Sequence, residues 1–132
     1  MDYKKVLANT KVTSRQVDRK EAPWSKGEYR PHWLITLSYE SRRVHFDFWN
    51  NIYNETPKKY ELLSLLIGEA CDGAQMTLDD MASEFGYTKP SEALRTYKGL
   101  QSASRKIKNL YNVNDDDLIE LANLAHEKES ES

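Results

Sequence analysis

An α+β fold is what this sequence of 132 residues predicts, an antiparallel β-hairpin or three-stranded sheet packed against a bundle of about four helices. Two stretches before residue 50 alternate apolar and polar side chains with period two, the mark of half-buried strands. After residue 56 the apolar spacing changes to three and four, the mark of amphipathic helices. The length suits one domain with one modest core.

Residues 1 to 10 open with a short helix, and Lys11 to Val17 reads as a strand because Val12, Thr13 and Val17 favour extended backbone. From Asp18 to Arg30 the charges, Pro23 and Gly27 predict a loop pinned by Trp24, so residues 1–30 form a partly irregular segment. Trp33, Ile35, Leu37 and Tyr39 then alternate with Leu34, Thr36 and Ser38. In Arg43 to Trp49 the alternation recurs, with Val44, Phe46 and Phe48 on one face and Arg43, His45 and Asp47 on the other. Glu40 to Arg42 form the connection, which gives a hairpin with one apolar face. A hairpin alone is marginal in water, so that face needs helices and a third strand, for which Lys11 to Val17 is available.

Thr56 before Pro57 has the pattern of a cap followed by proline at the first helical position, and Tyr60, Leu63, Leu66, Ile67 and Ala70 mark one face of the helix that follows. Leu62 and Leu65 widen that face, making this the most buried helix, and it ends near Asp72 and Gly73. Thr77 with Asp80 three residues on reads as a capping box opening a second helix with Leu78, Met81, Ala82 and Phe85, ended by Gly86. A third helix runs from about Ser91 to Tyr111. A fourth runs from Asp115 to about His126, capped by Asn114, with Asp115, Asp116 and Asp117 at the positive end of its dipole. Residues 127–132 lack apolar side chains and read as a disordered acidic tail.

Composition narrows the function classes. Three Trp, eight Tyr and three Phe among 39% apolar residues exclude a disordered chain, and a mean hydropathy of -0.80 with 30% charged residues describes a polar surface. The longest apolar run, Leu62 to Ile67, is broken by Ser64 and is far short of a membrane span, and Met1 to Thr10 has no apolar signal core, so a cytoplasmic protein without a membrane partner is expected. Cys71 is the single cysteine, which rules out an internal disulfide and a Cys-rich metal site; it reads as a small buried apolar residue. His32, His45 and His126 are widely separated and lack zinc-ligand spacing, and the five glycines form no phosphate loop. His45, Asp47 and Arg43 share a strand face that reads as solvated rather than as a polar site. No metal, no cofactor and no enzymatic activity are expected.

Charge supplies the functional clue. The net charge of -2 conceals blocks: residues 93–114 carry five Lys or Arg and no Asp or Glu, whereas residues 115–132 carry seven acids and one lysine. On a helical wheel Ala93, Tyr97, Leu100, Ala103, Ile107, Leu110 and Tyr111 gather on one side of the third helix. Nearly opposite lie Arg95, Lys98, Ser102, Arg105, Lys106 and Asn109. The basic side is either a solvated face, with late cations answering the helix dipole and the acidic fourth helix, or a surface for phosphates or an acidic protein. Lys89, Arg95, Lys98, Arg105 and Lys106 are the candidate partner or nucleic-acid contacts, and Asp79, Asp80 and Glu84 a candidate acidic contact surface.

Ala82 and Gly86 have the small-residue and turn-glycine spacing of a helix-turn-helix. Buried apolar residues are then expected six and nine positions after Gly86, where Glu92 and Arg95 stand, so Tyr87 to Pro90 reads as a longer turn than that motif uses. The apolar face of the long helix also allows homo-oligomerisation.

The succession HWLITLSY, a second strand ending in FDFW, and PKKYELLSLLIGEACDGAQMTLDDMASEFGYTKPSEALRTYKGL resembles small proteins of unassigned function encoded by bacteriophages and prophages. The likeness covers about Pro31 to Leu121, with matching positions at His32, Trp33, Thr36, Leu37, Pro57, Leu63, Ala70, Phe85, Gly86, Tyr87, Ser91, Ala93 and Tyr97. Ser41 and Asn50 or Asn51 stand where those proteins have glycines. The resemblance carries no catalytic residues. It implies a non-enzymatic phage-type protein in a bacterial host that binds a host protein or nucleoprotein complex and inhibits or modulates it, as anti-CRISPR proteins do. The alternative is a helix-turn-helix-like DNA-binding regulator.

Overall fold

The computed structural model describes residues 1–20, 29–49, 58–84, 86 and 90–131. In chain order the elements are α1 (Tyr3–Ala8), β1 (Lys11–Lys20), β2 (Tyr29–Tyr39), β3 (Arg42–Trp49), α2 (Lys59–Gln75), α3 (Leu78–Glu84), α4 (Pro90–Tyr111) and α5 (Asp115–Glu131). The strands form one antiparallel sheet in the order β1-β2-β3. This is the three-stranded version of the expected α+β fold.

Register follows the period-two pattern. Leu37 lies opposite Val12 on one side and Val44 on the other, and Ile35 lies between Ser14 and Phe46. Directly paired residues point to the same face, so Trp33, Ile35 and Leu37 turn into the core with Val12, Val44 and Phe46 beside them. β1 is longer than its apolar residues suggest. Asp18, Arg19 and Lys20 pair with Pro31, Arg30 and Tyr29, so the ends of the expected loop are extended backbone, held by ladder hydrogen bonds that do not depend on side-chain polarity. Residues 21–28, Trp24 among them, lie outside the described residues. At the hairpin turn the left-handed position is Glu40, with φ 55°, not Ser41.

The helices cover one face of the sheet. α2 buries Leu62, Leu63, Leu66, Ile67, Ala70 and Gly73 and packs against both α4 and α5, as its Leu-rich face predicts. Its first helical residue is Lys59, and Lys58 at the cap position makes no side-chain capping bond; Thr56 and Pro57, the expected cap and first residue, lie outside the described residues. At its far end α2 meets α4 backbone to backbone: a Cβ built on Gly73 falls 2.0 Å from the Leu100 carbonyl oxygen. Only glycine permits that crossing distance. Core residues from α1 (Val6, Leu7), α4 (Ile107, Leu110, Tyr111) and α5 (Leu118, Leu121, Ala125) complete the cluster.

Local signals fix the helix ends. Thr77 and Asp80 form the predicted capping box, the Thr77 N–H donating to Asp80 Oδ2 at 3.0 Å and the Asp80 N–H to Thr77 Oγ1 at 3.1 Å. Asn114 and Asp117 form a second box at the start of α5. α4 ends with Asn112 at φ 54° and the Val113 N–H donating to the Lys108 carbonyl at 3.2 Å, a Schellman closure in which Asn takes the left-handed position. α5 does not stop near His126 but continues to Glu131. In its last turns Ser130 Oγ donates to the Glu127 carbonyl at 2.9 Å, and His126 and Glu129 approach to 3.6 Å, so polar contacts within the helix replace the absent apolar side chains.

Long-range contacts tie the N-terminal segment and the hairpin to the last two helices. Tyr3 OH donates to Asp117 Oδ1 at 2.9 Å. Thr10 Oγ1 donates to the Val6 carbonyl at 2.8 Å, so the Tyr111 hydroxyl, 2.9 Å away, acts as donor to Thr10. Burial pushes the Tyr111 phenol up to about 12, and its ring meets Tyr39 edge-on with centroids 5.2 Å apart. Beside it Arg42 Nε donates to the Leu110 carbonyl at 2.7 Å, closing the end of α4 from the hairpin turn.

Two glycine substitutions are expected to act in opposite directions. Gly73→Ala drives a methyl group into the α4 backbone and costs about 1–3 kcal/mol, seen as a Tm on the order of 5–10 °C lower. A Cβ at Gly99, inside α4, meets nothing within 4 Å, so Gly99→Ala raises stability by about 0.5–1 kcal/mol. Thermal unfolding of both variants, with the far-ultraviolet signal checked for retained helix, measures the contrast.

Candidate functional site

α4 is amphipathic, and its apolar side settles as the spacing requires: Ala93, Ala103, Ile107, Leu110 and Tyr111 are buried and Tyr97 and Leu100 half-buried. Arg95, Lys98 and Arg105 are exposed. The remaining cations separate onto two flanks of the helix.

On one flank, α2 and α4 diverge past the Gly73 crossing and leave a groove of about 630 Å³ lined by Gly73, Ala74, Lys98, Gln101, Ser104, Arg105, Lys108 and Asn109. Of the sequence-designated residues, Lys98 and Arg105 meet here. They stand seven positions apart, two helical turns, which returns them to the same line along the helix. Gln101 and Lys108 continue that line. Neither was singled out as a contact: Gln101 is uncharged, and Lys108 falls toward the apolar side of the wheel. Lys108 also answers the expectation that late cations meet the acidic fourth helix, since its Nζ lies 2.8 Å from Asp115 Oδ1. Ser104 is only 4% exposed.

On the other flank, Lys106 is not free to join the basic face. Its Nζ donates to the His45 carbonyl at 2.9 Å and lies 5.1 Å from the centroid of the Phe46 ring, so its charge is used in holding α4 to β3. At its position on the wheel the side chain reaches the strand before it reaches solvent. Beside it a second groove of about 330 Å³ is lined in part by Asp47, Glu69, Thr96, Ser102 and Lys106. Burial, and after it the charge of Asp72, raises the Glu69 carboxyl above its ordinary value. Lys89 lies outside the described residues.

The acidic candidates share one short helix. Asp79, Asp80 and Glu84 are all exposed on α3, but Asp80 is committed to the capping box, whose hydrogen bonds from Thr77 hold its carboxyl below the usual range. Glu84 sits near enough to Asp72 to help raise that carboxyl, behind the larger effect of burial. Arg43, His45 and Asp47 lie exposed on the outer sheet face, and His45 Nδ1 is 3.0 Å from Thr36 Oγ1. Cys71 is half-buried rather than buried. Burial first, then Asp72 and Asp115, pushes its thiol up to about 11, so it stays protonated and unreactive near neutral pH.

Among the described residues no group of three or more His, Cys, Asp or Glu side chains could hold a metal ion, and no described helix is long and apolar enough to cross a membrane. No family model, curated protein or solved structure matches the chain.

Glu69 gives this region a pH signature. Its folded-state pKa lies above the unfolded value, so the fold bears the cost of an ionised, half-buried carboxylate at neutral pH. That cost disappears as pH falls through the folded pKa toward the unfolded one. Glu69→Gln is therefore expected to unfold at higher denaturant concentration than the parent chain at pH 7, with the difference closing by about pH 4, near the ordinary Glu value. Urea titrations at the two pH values measure it.

Proposed function

We propose that this protein is a non-enzymatic, phage-type inhibitor or modulator that acts by docking the basic face of α4 on a bacterial host machine, a nucleoprotein complex such as a CRISPR surveillance complex. One observation carries the reading: Arg95, Lys98 and Arg105 project from a stretch of α4 without an acid, and two of them share a groove. Positive potential of this kind accelerates encounter with an acidic surface and selects against basic ones. The resemblance of about Pro31 to Leu121 to phage-encoded proteins supplies the host setting, and inhibition by binding needs no catalytic constellation.

A DNA-binding regulator is the second reading, favoured by Gly86 at φ 64° between α3 and α4 and by the exposed run Ser91, Leu94, Arg95 and Lys98 at the front of α4. Against it stands spacing. α4 begins at Pro90, four residues after the glycine, and Arg95 is exposed where the motif buries an apolar residue.

Reversing Arg95, Lys98 and Arg105 to Glu is expected to abolish capture of the host target from nuclease-treated lysate and inhibition of that target, while leaving the circular dichroism spectrum unchanged. Retained inhibition by the folded triple variant would reduce the basic face to a solvated surface. Capture of nucleic acid alone, lost on nuclease treatment, would favour the DNA-binding regulator.

A further inference from the structure

We propose that the groove between α2 and α4 binds the phosphate groups of a single nucleic-acid strand, so that the basic face holds the host machine through its nucleic acid as well as its protein; this deepens the function proposed above and rests on it. Lys98, Gln101, Arg105 and Lys108 recur at intervals of three and four residues along one side of α4. At 1.5 Å per residue the row spans about 15 Å, long enough to follow successive phosphates of one strand. Among the described residues no carboxylate lines the groove.

Ser104 adds a neutral donor to the row. It lines the groove at 4% exposure, and its hydroxyl makes no hydrogen bond to any described residue, unlike Thr10, whose hydroxyl is paired with both Val6 and Tyr111. The Ser104 hydroxyl is not itself a buried unpaired atom, which among the described residues is Trp33 Nε1, so it opens on the groove, where a phosphate oxygen seated between Lys98 and Arg105 is an acceptor. Gly73 and Ala74 put almost no side chain into the opposite wall, so the space stays open down to Ser104.

The chemistry favours a phosphate chain over an acidic protein. Protein interfaces draw most of their affinity from buried aromatic or aliphatic anchors, and among the described residues this groove offers no large apolar side chain to receive one. Of the described residues, the exposed large apolar ones, Met1, Leu78, Leu94 and Ile119, lie outside its lining. Backbone binding to nucleic acid requires what is present here, cations and neutral donors in a row. Asp115, 2.8 Å from Lys108, occupies one end of that row as an internal competitor for the phosphate.

The test is fluorescence anisotropy of a labelled single-stranded oligonucleotide with the full chain over a salt series. Three cations predict a log-log salt slope of about -2, at about -0.7 per phosphate contact. Lys98→Ala with Arg105→Ala is expected to reduce that slope to about -0.7. Ser104→Ala is expected to weaken binding roughly two- to tenfold at an unchanged slope, because it removes a neutral donor and no charge. Asp115→Asn is expected to strengthen binding roughly two- to fivefold by releasing Lys108, a gain that misfolding does not produce. Absence of binding at low salt, or a slope unmoved by the double substitution, overturns the phosphate site. If, in addition, a host protein is still captured after nuclease treatment and lost on reversal of Arg95, Lys98 and Arg105, the proposed function survives without it; if both measurements fail, both readings fall.

Discussion

The close approach of α2 to α4 at Gly73 is the constraint on which the rest of this molecule depends. Helices carrying ordinary side chains at their contact pack with axes 8–10 Å apart; here a backbone carbonyl of α4 occupies the space a Cβ would need. The crossing lies on a Leu-rich helix that packs against both α4 and α5 and shares one core with the sheet. It also shapes the surface. Where two helices touch at one point and diverge, they leave a wedge; the groove of Lys98 and Arg105 is such a wedge, and the groove beside Lys106 is walled by β3 as well.

Charge is arranged around that frame by local rules before any partner is considered. Acids gather at the starts of α3 and α5, where free N–H groups and the helix dipole favour them, and two of these acids complete capping boxes. Cations line α4, which carries no acid after Glu92. The fold then spends some of them: Lys106 on β3 and Lys108 on Asp115. What remains facing solvent is a smaller and more directional positive surface than the count of residues suggests, centred on Lys98 and Arg105.

Much of the fold was legible in the sequence because it is encoded by short-range patterns. Alternation gave β2 and β3, spacing of three and four gave the buried faces of α2 and α4, and residues three apart gave the Thr77–Asp80 capping box; Asn114 was legible as a cap, while its reciprocal bond with Asp117 came from the structure. The features that could not be read depend on distant neighbours. Gly73 looked like a helix terminator, since nothing in its surroundings along the chain reveals Leu100 against it. β1 outran its apolar residues because hydrogen bonds to β2 hold it, and α5 outran Ala125 because side chains within the last turns replace a packed face. Lys106 and Lys98 look equivalent on a wheel. They differ because only one flank of α4 meets a strand. In the candidate site Lys98 and Arg105 were legible as a pair on one face, whereas Ser104, a small polar residue in a helix, carries no signal until the groove it lines exists.

The stitching of α1 to the far helices has a consequence for biosynthesis. The Tyr3–Asp117 and Thr10–Tyr111 hydrogen bonds join residues 114 and 101 positions apart, and Val6 and Leu7, buried in the finished fold, lie on the segment those bonds hold. A ribosome makes that segment before its partners. At synthesis rates of about 5–20 residues per second, the two apolar side chains wait several seconds with no core to enter. A helix of six residues is too short to hold its shape alone during that interval. Val6 and Leu7 therefore enter the core only after α4 and α5 exist: α1 is made well before the helices that bury it.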